Sequence, residues 1–208
     1  MRKTVRLILA AAILMISFGM KAARPEIAFT AEAVAFNGLS AGTRVAWLAV
    51  VREPRSYSTS VYVLHGTGIA TPSGVVSIPA RGAEVTNALW MMVEFETGAT
   101  VRTSAPGYTT SVRSIDIRAT NGDTFMTIVS PQAKVLYVRP RHGVWYGSAY
   151  DGGAGDDDRE SDARIHFSLS SLRGVHGNPH PPAALEPGDV LLVIDPVAMR
   201  TSRIEVVP

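Results

Sequence analysis

The chain predicts an all-β protein, an antiparallel β-sandwich, and three observations carry that reading. Apolar residues come in short runs or alternate with polar ones, which is the period of a strand. The runs end at turn residues such as Asn37-Gly38, Pro72-Ser73-Gly74 and Asn121-Gly122-Asp123. Apolar spacing of the helical kind is nearly absent.

In chain order, Ile27 and Phe29 alternate, and Val34 and Phe36 follow before the Asn37-Gly38 turn. TRVAWLAVV then places Val45, Trp47, Ala49 and Val51 on one face and Ala46, Leu48 and Val50 on the other. A strand apolar on both faces lies between two layers. SVYVL, VVSI and ALWMMVEFE continue the pattern; in the last, Leu89, Met91, Val93 and Phe95 are expected on a core face, with Glu94 and Glu96 outward. The second half repeats the style with SVRSIDIR, TFMTIVS, VLYVRP, VWYGSAY, DVLLVIDP and SRIEVV. The sum is a sandwich of one large or two small immunoglobulin-like layers. One short helix is expected near 168–175, where Leu169, Leu172 and Val175 recur at helical spacing and Ser168 could cap the start.

The first nineteen residues have the build of an export signal. Arg2, Lys3 and Arg6 precede an apolar run from Leu7 to Phe18, and Ser17-Phe18-Gly19 offers a small-x-small cleavage site. The run is shorter than the about 20 residues a membrane span needs, so no stable span is expected after its removal. The expected division is a signal peptide (1–19), a linker (20–25) and a sandwich region (26–208). Two subdomains, 26–105 and 106–208, are an alternative division of that region. The product is expected in the periplasm or secreted.

Composition excludes several classes. With no cysteine there is no disulfide framework, thiolate metal site or cysteine nucleophile. Removing Arg2, Lys3 and Arg6 takes the formal net charge from +2 to −1, which argues against a nucleic-acid partner, since that calls for a dense basic face.

The unusual chemistry lies in Tyr150 to Asp162, YDGGAGDDDRESD. Asp156, Asp157, Asp158, Glu160 and Asp162 crowd into seven residues, with Asp151 just upstream. Charges so close repel, so the loop is either fully solvated or holds a cation. Asp151, Asp156, Asp158, Glu160 and Asp162 are the candidate ligands, and calcium, a hard ion that takes six to eight oxygens, is the candidate ion. With Asp158 as position 1, Glu160 and Asp162 fall at 3 and 5, and the spacing resembles the calcium loops of dockerin and EF-hand proteins. That resemblance implies a weak extracellular-type site. Ala163 stands where such loops carry a sharp-turn glycine, and Leu169 where they carry a bidentate acid.

Arg139, Arg141, Trp145, Tyr146 and Tyr150 form a second candidate set, a stacking surface for a carbohydrate or protein ligand. Strand alternation puts Val144, Tyr146 and Ser148 on one side and Trp145 and Ala149 on the other, so one of these aromatics is expected in the core. No catalytic residue is assigned. Gly38-Leu39-Ser40-Ala41-Gly42 has the spacing of a hydrolase nucleophile elbow, but a strand follows it where that turn needs a helix. His176 and His180 have zinc-like spacing, yet Pro179 and Pro181 forbid the helix that would align them. The reading is a non-enzymatic exported binding module; the alternatives are a secreted hydrolase on a β-scaffold and an assembly subunit that recruits neighbours through edge strands.

Overall fold

The computed structural model describes residues 25–54, 59–105, 107, 117–119, 125–198 and 200–206. The expected export signal, nearly all of the linker and the Asn121-Gly122-Asp123 turn lie outside the described residues. Among the described residues no helix is long and apolar enough to cross a membrane.

The strands are β1 (Glu26–Phe29), β2 (Ala33–Asn37), β3 (Arg44–Pro54), β4 (Thr59–Ile69), β5 (Val76–Pro79), β6 (Ala88–Glu94), β7 (Thr100–Ser104) and β8 (Ile117–Ala119). They continue with β9 (Phe125–Ile128), β10 (Gln132–Arg139), β11 (Gly143–Tyr150), β12 (Ile165–Ser168), β13 (Arg173–Gly177), β14 (Val190–Asp195) and β15 (Arg200–Glu205). A one-turn helix α1 (Ala83–Thr86) leads into β6. Among the described residues all pairings are antiparallel, in four sheets ordered β1-β2-β5, β4-β3-β6-β7, β13-β11-β10-β14-β15 and β12-β9-β8.

Three hydrophobic clusters stack these sheets in that order. Val34, Phe36 and Val76 of the first sheet meet Val45, Ala49, Trp90 and Met92 of the second. The opposite face of the second sheet, with Leu48, Val50, Leu89 and Met91, meets Leu136, Val144, Leu192 and Ile194 of the third. The third sheet turns Tyr137, Trp145, Leu191 and Val193 toward Met126, Ile128, Ile165 and Phe167 of the fourth. The two inner sheets are therefore buried on both faces, and their strands show continuous apolar runs for that reason. β3 divides its faces as its sequence predicts. β6 differs from expectation, because Trp90 and Met92 are as buried as Leu89 and Met91. The first sheet covers a face that alternation alone leaves to solvent.

The short helix expected near 168–175 is one 3-10 turn, Leu169–Ser171, with the Ser168 hydroxyl accepting from Ser170 N–H. From Arg173 the chain continues as β13, whose edge-on pairing with β11 draws the segment into the sheet. The Gly38–Gly42 stretch is the β2–β3 turn, in which Gly38 and Gly42 hold φ values of 77° and 76°.

Candidate ion and ligand site at the loop end

The loop between β11 and β12 is an ordered structure built on its own carboxylates. Its base is pinned where Asp151 N–H donates to Pro131 O at 3.1 Å. The Asp151 carboxylate then accepts from Asp162 N–H (3.1 Å) and Ala163 N–H (3.2 Å) across the neck of the loop. Asp156 is 3% exposed, and its two oxygens accept from Gly152 N–H at 2.8 Å and His166 N–H at 2.9 Å. Asp158 accepts from Glu160 N–H, and Asp162 from Arg164 N–H. Backbone N–H dipoles thus offset part of the charge that the sequence packs together.

The loop also needs left-handed backbone. Gly152 and Gly155 have φ values of 69° and 81°, and a Cβ on Gly155 would stand 2.4 Å from Ser148 O. Ala163 adopts φ 64° without being glycine, at the position where calcium loops use glycine.

Three donors converge. One atom each from Asp156, Asp158 and His166 lies within 4.8 Å of the others. His166 Nδ1 lies against Asp158 Oδ2. The Glu160 N–H that Asp158 accepts, joined by the nearby imidazole, holds the Asp158 carboxyl below its ordinary range. Asp157 is pushed up, by partial desolvation first and by the charges of Asp156 and Asp158 second. Of the five ligands read from sequence, Asp156 and Asp158 join this group, while Asp151, Glu160 and Asp162 stand outside it.

The aromatic and arginine set is not gathered on one surface. Arg139 forms a bidentate pair with Asp189, at 2.9 and 2.8 Å, and its Nη1 reaches Glu186 at 3.0 Å. Asp189, 1% exposed, also accepts from Tyr137 O–H at 2.7 Å and Glu186 N–H at 2.7 Å. Burial and the Asp189 carboxylate raise the Tyr137 phenol above its ordinary value, and Asp189 raises Arg139 likewise. Arg141 is exposed on the β10–β11 turn with φ 66°. Trp145 is buried and stacks on Tyr137 with ring centres 5.2 Å apart. Tyr146, on the opposite face of β11, lies 5.0 Å from the His65 ring. Tyr150 is 43% exposed at the strand end.

His176 and His180 do not converge. The His176 ring packs edge-on against Phe95 at 4.4 Å, and His180 is exposed. Residues not assigned from sequence also gather near the loop: Lys134, Ser148, Ser171 and Arg173. Lys134 carries a readable signal, as the one charge inside the apolar run of β10; Ser148 and Arg173 carry none, because only strand pairing brings them together. Compared with known proteins, the chain matches no family model, and no curated protein is significantly similar to it.

Proposed function

We propose that the chain is an exported, non-enzymatic β-sandwich module that binds a ligand or partner, with a weak divalent-cation site in the loop between β11 and β12. The convergence of Asp156, Asp158 and His166 carries the cation part of this reading. Asp151 and Asp156 spend their oxygens on backbone N–H groups, which is the work of struts rather than of proton donors. Each carboxylate keeps spare lone pairs beyond those bonds, so an ion can join the set without dismantling the loop.

Calcium is the ion favoured by the alternating acids of the sequence. The imidazole favours manganese or zinc, because calcium prefers oxygen ligands throughout. Thermal melting with each ion and with chelator separates them, since an ion that binds the folded chain raises the melting temperature. A rise with calcium supports the oxygen-rich site, and a rise confined to manganese or zinc assigns the site to a transition ion. No shift with any ion removes the cation from the account.

A further inference from the structure

We propose that the cleft between the β11–β12 loop and the start of β13 is a binding site for a small carboxylate. The cleft is lined by Tyr146, Ser148, Gly155, Ser171 and Arg173, among others, and encloses about 350 Å³. Behind it stands Lys134, which points from β10 along the same face as Ser148, its cross-strand partner.

Lys134 is 7% exposed. Its ammonium donates to Ser148 Oγ at 3.0 Å and Tyr150 Oη at 3.1 Å, and it sits 4.9 Å from the centre of the Tyr150 ring. No described carboxylate lies within ion-pair distance of it. A buried charge without a counter-charge is costly, and an anion brought close repays part of that cost.

The hydroxyls pass this charge outward. An ammonium only donates, so Ser148 Oγ and Tyr150 Oη must both accept from it. Ser148 Oγ and Tyr146 Oη share one further hydrogen bond at 2.8 Å, which uses one of their two protons. Whichever of them donates, the other proton has no acceptor among the described residues, and both residues line the cleft. Together with the exposed Arg173 guanidinium, the cleft presents donors backed by a cation. The adjoining hollow shares Ala154, Gly155 and Ser171 with this cleft and carries the Asp156 and Asp157 carboxylates, so the two cations beside them match a singly charged carboxylate better than phosphate, which brings a charge near −2.

The inference rests on the reading of the chain as a binding module and names what it binds. Its test is separate from the cation titration. The probe is acetate, titrated against the ¹⁵N-labelled protein at constant ionic strength, with chloride and sulfate as control anions. Saturable shifts of the Gly147, Ala154, Gly155 and Ser171 amides are expected with acetate, with smaller responses to the controls. Tyr146→Phe should weaken the response about tenfold, the worth of one hydrogen bond to a charged group, and Lys134→Met should abolish it. Should Lys134→Met fail to fold, Tyr146→Phe and Ser148→Ala decide the matter, since neither empties the core. Absence of saturable shifts overturns the site, as does equal acetate affinity in the variants or an equal response to sulfate. A module that responds to a cation but not to acetate keeps its proposed function and loses this site alone.

Discussion

Ala163 and His176 show how single positions carry testable strain. An L-residue with φ 64° loses about 1 to 2 kcal/mol that glycine does not. Ala163→Gly should therefore raise stability by about 0.5 to 1 kcal/mol, after allowing for the greater freedom of glycine in the unfolded chain. Urea denaturation reads this directly; a lower midpoint would mean that the alanine is at ease. His176 is held below its ordinary value by burial first and by the Arg44 guanidinium second, against the opposing pull of Glu96. The unfolded chain then takes up the proton more readily than the folded one. Stability is unaffected by this group above its unfolded value of about 6.5 and declines as pH falls below that, through the lowered folded value. His176→Phe should flatten the acid limb of the stability curve, and an unchanged slope would refute the assignment.

Among elements, the β11–β12 loop is the one whose side chains determine its shape. Asp156→Ala strands two N–H groups, those of Gly152 and His166, at a largely buried point, and should cost about 2 to 3 kcal/mol. Glu160→Gln should be nearly neutral, because the exposed Glu160 side chain makes none of the loop's hydrogen bonds. Equal losses from both, measured by denaturation and by proteolysis within the loop, would show that the carboxylates act through general charge and not as struts. At the other end of β10, Asp189 binds Arg139, Tyr137 and the Glu186 N–H together, so Asp189→Ala takes the buried partner from a largely buried guanidinium and leaves it only the exposed Glu186 carboxylate. Full loss of a buried partner costs about 3 to 5 kcal/mol, and the surviving Glu186 contact should hold the cost read by urea denaturation near the lower end of that range.

For the molecule as a whole, the decisive feature is the shared middle core. Sheets drawn from residues 26–104 and from 117–205 meet through Leu48, Met91, Leu136 and Leu192, all nearly inaccessible to solvent. Neither inner sheet can expose that face without losing burial worth about 25 cal/mol for each Å². Unfolding should accordingly be one transition, with coincident curves from far-ultraviolet circular dichroism and from tryptophan fluorescence. Trp47 and Trp90 report on the first half and Trp145 on the second. Two separated transitions would show that the halves are independent. Leu48→Ala should cost about 2 to 5 kcal/mol and leave the transition single.

The β-class, the faces of β3, the opposed sides of Trp145 and Tyr146, and the acidic loop as a distinct element were all legible in the sequence. Each rests on local chemistry: the two-residue period of a strand, or charges adjacent in the chain. What only the tertiary structure decided is contact between distant segments. The first sheet buries the second face of β6, Asp189 claims Arg139 across fifty residues, and His166 enters a donor group that chain spacing assigns to acids alone. Lys134, Ser148 and Tyr146 become one hydrogen-bonded chain only when β10 pairs with β11. Side-chain period repeats along a strand, but partners across strands depend on register and layer order, which follow from the packing of the whole chain.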